Sequence, residues 1–226
     1  MPSFFRDLRH KLFYQWASKS GHPVQVLGGQ CTWSIDPAGL NAASIVYCAG
    51  AGGDISFEKE IADRFGCQVL ILDPSPTGAF TMSKPENQRA GFLYEPFGLA
   101  DRDATFHFDV PEDRTGASYV LRSTAPTPEE ADGCISLPCL SLPTLMAKHG
   151  HTRIDLLKMD IEGFEYGVLD QILAQRIPVR QICVEFHHFL LPQFSNMDTI
   201  RTILRLKRAG YRLIHRVHWD HTFLLS

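Results

Sequence analysis

Two groups of residues in this sequence have types and spacings suited to chemistry on a ligand. The first includes a glycine-rich segment, YCAGAGGD at 47–54, which lies between an apolar run and an amphipathic one. Glycine lets the backbone approach a ligand closely, and the free N–H groups at a helix start bind a negative group. Glycine also serves tight turns for steric reasons alone, so this segment leaves both interpretations open.

Asp73 is the partner of that segment, because it ends the apolar run QVLILDP, 21 residues beyond Gly52. A carboxylate at the tip of the second strand of a β-α-β unit can accept hydrogen bonds from ribose hydroxyls. The dinucleotide fingerprint GxGxxG would require glycine at position 55, which is Ile55. The pair therefore favours a nucleoside with a small zwitterionic tail, such as S-adenosylmethionine, over a dinucleotide.

The second group is acidic and contains a histidine. Asp160 and Glu162 follow one apolar run, and Glu185 and His187 end the next. His187 is the preferred general base for an acceptor hydroxyl, because histidine titrates near working pH. The same four side chains are also a donor set for magnesium or manganese. Helix capping by the acids and a structural role for His187 remain open alternatives.

Short apolar runs that alternate with helical patterns must position these residues. The segments SIVYCAG, ISFEKEIADRFG and QVLILDP predict a β-α-β unit. Further predicted strands are 91–95, 105–108, 154–159, 181–186, 211–217 and 222–225, and further predicted helices are 142–149, 163–175 and 198–209. This order predicts an α/β fold: a mostly parallel sheet that ends in an antiparallel hairpin, with helices on both faces.

Length and composition predict one domain and exclude several functional classes. The chain has 226 residues, 44% of them hydrophobic, and a formal net charge of −3, which does not support nucleic-acid binding by bulk charge. Its apolar stretches are shorter than the ~18–20 residues of a membrane span, and the N-terminus lacks a secretory pattern. We therefore expect a cytoplasmic protein without a transmembrane segment, whose six cysteines are free thiols.

Two segments flank or interrupt the predicted domain at 44–226. The lead-in at 1–43 contains an amphipathic helix over 4–16, whose apolar stripe would pack on the domain, contact a homodimer partner or dock on a membrane surface. Residues 109–141 hold prolines and acids with little periodicity. We expect this segment to form a loop or lid, which with the helix would shape an acceptor pocket.

The segment LLKMDIEGFEYGVLDQIL at 156–173 closely resembles the K-[IM]-D-[IV]-E-G-x-E-x-x-[VL]-L signature of the FkbM family of S-adenosylmethionine-dependent methyltransferases. The resemblance extends over about 44–225. It includes VYCAGAGGDISFEKEIADRFGCQVLILDPSP, FGLAD at 97–101, ASYVLRS at 117–123 and VEFHHF at 184–189.

The resemblance implies a class I, Rossmann-like sheet with strand order 3-2-1-4-5-7-6 and an antiparallel strand 7. It also implies methyl transfer from S-adenosylmethionine to a hydroxyl of a small molecule, sugar or glycan. By motif, the cofactor contacts would be Gly50 and Gly52 for the methionine part, Asp73 for the ribose, Asp101 or its neighbours for the adenine, and Asp160 at the reacting end. Cys48 stands where many class I enzymes carry an acid.

Two other functions remain open at this point. A catalytically inactive, methyltransferase-like module would bind the nucleoside without consuming it. A metal-dependent hydrolase that uses Asp160, Glu185 and His187 would instead turn over without an adenosyl cofactor.

Overall fold

The computed structural model describes residues 21–110, 119–122 and 124–226. Its first half contains β1 (Gln25–Leu27), β2 (Trp33–Ile35), β3 (Ile45–Ala49), α1 (Ser56–Phe65), β4 (Gln68–Leu72), α2 (Pro76–Ser83), β5 (Phe92–Glu95), β6 (Gly98–Ala100) and β7 (Ala104–Asp109). The second half contains β8 (Val120–Leu121), β9 (Cys134–Ser141), α3 (Leu142–His149), β10 (Ile154–Met159), α4 (Glu165–Gln175), β11 (Val179–Glu185), α5 (Asn196–Arg208), β12 (Tyr211–Val217) and β13 (Asp220–Leu225).

The main sheet of the described residues has seven strands in the order β5-β4-β3-β10-β11-β13-β12. Strands β5, β4, β3, β10 and β11 are parallel to one another. Strand β13 is antiparallel to both β11 and β12. The predicted α/β fold, with a mostly parallel sheet that ends in an antiparallel hairpin, is confirmed.

Alternate residues of the central strands belong to two apolar cores, one on each face of the sheet. Val46 and Cys48 of β3 pack with α1 and the β1–β2 hairpin. Tyr47 and Ala49 of the same strand pack with residues of α3, α4 and α5. The buried parallel strands are therefore apolar on both sides, as helices on both faces require.

Part of the segment predicted to be a loop or lid at 109–141 is instead a long strand. Strand β9 pairs in parallel with β6 and antiparallel with β7, in a second sheet of order β6-β9-β7-β8. Its side chains alternate, with Leu137 and Cys139 buried and Ser136 and Pro138 exposed. The apolar alternation was present in the sequence, but Pro138 obscured it.

Several predictions concern residues that the structure does not describe. The helix at 4–16, with its homodimer or membrane contact, falls in 1–20, and part of the predicted lid falls in 111–118 and at 123. Within the described ranges, no helix combines the length and the apolar character that crossing a bilayer requires.

Gly50 is the point where the backbone after β3 closely approaches the backbone after β10. Its N–H donates to the carbonyl of Leu72 at 2.9 Å, and its φ of +88° lies in the left-handed region. A Cβ on Gly50 would lie 1.9 Å from the carbonyl oxygen of Asp160. Gly53, in the same loop, has open space around its Cα, and a Cβ added there would meet no atom within 4 Å.

We expect Gly50→Ala to destabilise the fold far more than Gly53→Ala. The methyl group would overlap a backbone oxygen that cannot move away, at a cost of about 1–3 kcal/mol, and the positive φ adds about 1–2 kcal/mol. Urea unfolding followed by circular dichroism would measure both variants. Equal free energies of unfolding for the two variants would contradict the close approach to Asp160.

Candidate functional site

A cavity opens at the carboxyl ends of β3, β4 and β10, the edge where open α/β sheets bind ligands. The glycine-rich loop lines the cavity, and Asp160, whose backbone lies against Gly50 of that loop, lines it together with Glu162. Asp73 and Ser75 line the cavity where β4 ends. The remaining lining is largely apolar and includes Leu72, Leu99, Phe108, Tyr119, Leu137, Ile161 and Phe164. Such a mixture of an apolar surface and a few convergent polar groups is typical of a small-molecule site.

Asp73 lies beneath the glycine-rich loop and is 5% exposed. Its Oδ2 accepts hydrogen bonds from the N–H groups of Ala51 and Gly52, both at 2.9 Å. Its Oδ1 accepts one from the N–H of Ser75 at 2.8 Å. The carboxylate thus fixes the loop, and Oδ1 keeps capacity for a further donor because a carboxylate oxygen accepts about two hydrogen bonds.

Lys158 holds the other side of the same loop from within the core. Its ammonium group donates to the carbonyl of Gly50 at 2.5 Å and lies 3.6 Å from Oε1 of Glu58. Trp33 covers it, with the ring centroid 5.4 Å from Nζ. Burial opposes the charge of Lys158, but Glu58 and Asp160 hold its pKa above the ordinary value. Burial raises the pKa of Glu58, and Lys158 opposes that rise.

His187 lies at the acidic end of the site and is 3% exposed. Its Nδ1 is hydrogen-bonded to Oε1 of the fully buried Glu165 at 2.5 Å, which fixes the orientation of the ring. Three carboxylates surround Nε2. The nearest oxygens are those of Glu162 at 3.4 Å, Asp160 at 3.6 Å and Glu185 at 3.8 Å.

Burial and mutual repulsion shift the pKa values of this cluster. Although burial opposes its charge, the hydrogen bond and charge of Glu165 raise the pKa of His187 to about 9. Burial, followed by the charge of Asp160, raises the pKa of Glu185 to about 7. The same two causes raise the pKa of Asp220 to about 6. The cluster thus favours a bound positive charge.

Glu162 has an unusual backbone conformation for its residue type. Its φ is +51°, and its carbonyl accepts a hydrogen bond from the N–H of Leu121 at 3.1 Å. A left-handed non-glycine residue costs about 1–2 kcal/mol, and such strain concentrates at functional sites. The turn directs Glu162 toward the cavity that it lines, close to His187.

The structure brings most of the sequence-predicted residues together. Gly50, Gly52, Asp73, Asp160 and Glu162 line one cavity. Glu185 and His187 are not among its lining residues; His187 lies next to its acidic wall, with Nε2 3.4 Å from Glu162 and 3.6 Å from Asp160. Asp101 is not among the lining residues. It pairs with Arg102 at 3.1 Å and packs against Gly167 of α4, whereas its neighbours Gly98 and Leu99 line the cavity.

Sequence analysis missed Glu165, Lys158 and Glu58 as contributors to the site. Glu165 belongs to the acidic segment KMDIEGFE that marked Asp160 and Glu162. The contacts of Lys158 and Glu58 cannot be read from a local sequence pattern, because Lys158 and its hydrogen-bond partner Gly50 are 108 residues apart in the sequence.

We expect Lys158→Met to destabilise the protein by about 3–5 kcal/mol, because it leaves Glu58 buried without its cation. The double variant Glu58→Gln/Lys158→Met should recover part of this loss. Lys59→Met, at the residue next to Glu58 on α1, is the control and should change stability little. Denaturant unfolding of the four proteins, wild type included, would measure these differences. A double variant no more stable than Lys158→Met would contradict the pairing.

The stability loss in Lys158→Met should also depend on pH. Without Lys158, the folded-state pKa of Glu58 rises further above its unfolded value, so the folded protein keeps a proton that the unfolded chain releases. That protonation stabilises the variant below the unfolded pKa, and the effect disappears as pH rises through the folded pKa. The difference from wild type should therefore shrink as pH falls. A difference independent of pH would contradict the burial of a charged Glu58.

The sequence matches the family model described as the methyltransferase FkbM domain over residues 48–213. Among solved structures, the fold is similar to that of a Methanococcus jannaschii fibrillarin pre-rRNA processing protein, with 10% identity and a TM-score of 0.45, over 93% of this chain and 74% of that one. It is also similar to M. jannaschii TYW2 in complex with AdoMet, with 10% identity and a TM-score of 0.35, over 92% of this chain and 89% of that one. No curated protein sequence matches the chain significantly.

The family match spans most of the chain and includes every candidate site residue from Gly50 to His187. It also agrees with the resemblance carried by the segment around Asp160, and it supports methyltransferase activity. The chain therefore belongs to the FkbM methyltransferase family.

Proposed function

We propose that this protein transfers a methyl group from S-adenosylmethionine to a hydroxyl of a small molecule, sugar or glycan. The observation that carries the proposal is the cavity itself, which joins a glycine-rich loop over Asp73 to the acidic cluster around His187. A nucleoside cofactor needs the first of these features, and a hydroxyl acceptor needs the second.

The cofactor would occupy the loop side of the cavity. Gly50 and Gly52 would border its methionine part, and the free acceptor capacity of Asp73 Oδ1 would take a ribose hydroxyl. The purine would lie against the apolar lining around Leu99 and Phe108, so that its contact comes from a neighbour of Asp101 and not from Asp101 itself. The sulfonium would then face Asp160, whose negative charge favours it.

The reaction is an in-line displacement at the sulfonium methyl. The acceptor oxygen forms a bond to the methyl carbon, the carbon–sulfur bond breaks, and its electron pair stays on sulfur as S-adenosylhomocysteine forms. The hydroxyl proton must leave, and the protein's task is to align the acceptor and promote that loss. Asp160 lines the cavity, Glu185 and His187 lie next to it, and this cluster would face the acceptor.

Two experiments test the proposal. The first is calorimetric titration with S-adenosylmethionine and S-adenosylhomocysteine, and the second measures transfer of a labelled methyl group to a panel of polyols, sugars and glycans. The proposal expects binding of both nucleosides and transfer to a hydroxyl. Binding without any transfer would favour the inactive binding module. Acceptor hydrolysis without a nucleoside would favour the metal-dependent hydrolase, and absence of nucleoside binding would overturn the proposal.

We expect Asp73→Asn to weaken S-adenosylhomocysteine binding by roughly 10- to 150-fold. The substitution removes a charged acceptor, and hydrogen bonds to charged groups contribute about 1.5–3 kcal/mol. Asp63→Asn, at an exposed acid of α1 that pairs with Arg89, is the matched control and should keep the wild-type affinity. Calorimetry on folded samples of both variants would measure their affinity for S-adenosylhomocysteine. Wild-type affinity in Asp73→Asn would refute the ribose contact.

A further inference from the structure

We infer that Asp160, Glu185 and His187 bind one divalent cation of the Mg²⁺ or Mn²⁺ type. The inference rests on the proposed function and deepens it, because it names how the acceptor end of the cavity promotes loss of the hydroxyl proton. It assigns three of the four ligands predicted from the sequence and places Glu162 beside the site.

The spacing of the three ligand atoms fits a small cation between them. One ligand atom from each residue lies within 4.8 Å of the others. Nε2 of His187 is 3.6 Å from Asp160 and 3.8 Å from Glu185, too far for the roughly 2.7–2.9 Å of a charge-assisted hydrogen bond. With bonds of about 2.0–2.1 Å, adjacent ligands of an octahedral Mg²⁺ lie roughly 3 Å apart and opposite ligands about 4 Å apart.

Glu165 fixes the orientation of the His187 ring. Glu165 is fully buried, and its carboxylate accepts hydrogen bonds from the N–H of Gly163 and meets Nδ1 of His187. The ring is 3% exposed and cannot turn without breaking this contact, so Nε2 stays directed among the carboxylates. A carboxylate on the second ring nitrogen is the usual support of a metal-ligating histidine.

Charge and donor chemistry point to the same class of ion. Glu162 lies 3.4 Å from Nε2 of His187, and Asp220 is the cross-strand neighbour of Glu185, so two further acids surround the three ligands. A divalent cation would offset this concentration of negative charge. Carboxylate oxygens with one imidazole suit Mg²⁺ or Mn²⁺, whereas zinc and copper sites are richer in nitrogen or sulfur.

Such an ion would bind the acceptor oxygen directly. It would lower the pKa of the hydroxyl, whose proton then passes to bulk water, and it would hold the oxygen near the methyl group. His187 would serve as a ligand through Nε2, and no separate imidazole base would be needed.

The site can be tested without a cofactor or an acceptor. The full chain is stripped of metal with a chelator and titrated with Mn²⁺, and electron paramagnetic resonance measures the ion that stays free. We expect one bound Mn²⁺ per chain and competition by Mg²⁺. Glu185→Gln, at a side chain that is 28% exposed, and His187→Gln should each weaken Mn²⁺ binding at least about 10-fold. Glu86→Gln, at an exposed acid of the loop after α2, is the matched control and should bind Mn²⁺ as the wild type does.

Calorimetry with S-adenosylhomocysteine on the same samples separates this inference from the proposed function. The inference is overturned if wild type binds no Mn²⁺ at millimolar concentrations, or if Glu185→Gln binds it as tightly as wild type does. Intact nucleoside affinity in that case would leave the proposed function standing, with His187 as the general base. Mn²⁺ bound at this site without nucleoside binding would support the inference and contradict the proposed function.

Discussion

The enclosure of the Gly50 backbone between β4 and β10 is the constraint on which the site depends. Its N–H is held by Leu72, its carbonyl by Lys158, and its Cα by contact with Asp160. These contacts fix the carboxyl ends of three neighbouring strands relative to one another. Because β10 carries Lys158 and leads directly into Asp160, the strand that holds the loop also positions the acidic wall beside it.

The two ends of the cavity differ in how their charges are satisfied. Asp73 is stabilised by backbone N–H groups of the loop and of the start of α2, so its charge is already solvated by protein dipoles. The carboxylates around His187 face one another and one imidazole, and burial raises the pKa of Glu185 and Asp220. This end is therefore suited to attract a cation or a positively charged reaction centre.

Much of the fold follows from local apolar patterns. The predicted strands at 154–159 and 211–217 and the helix at 142–149 have the observed bounds. Helix α2 was missed because it lacks apolar periodicity, although Ser75 caps it and Pro76 occupies its first turn. Strand β9 was missed because Pro138 interrupts its apolar alternation and the residues before it are rich in prolines and acids, which are typical of a loop.

The site was predicted less completely than the fold, for a physical reason. Residue type and position at a strand end identify Asp73, Asp160 and His187 as candidates, because parallel strands bring their carboxyl ends to one edge. Which side chains then meet depends on contacts between distant segments. Glu165 orients His187 from 22 residues away, and Asp101 turns toward α4 instead of the cavity.

The central claim is that one cavity serves both the cofactor and the reaction of the acceptor. A crystal structure with S-adenosylhomocysteine and Mn²⁺ tests it most directly, because anomalous scattering locates sulfur and manganese. The account predicts the nucleoside sulfur inside the cavity, next to Gly50 and Asp160, and manganese bound by Asp160, Glu185 and His187. A nucleoside bound outside this cavity would contradict the account of the cofactor site. A manganese peak at other residues would contradict the account of the acidic cluster.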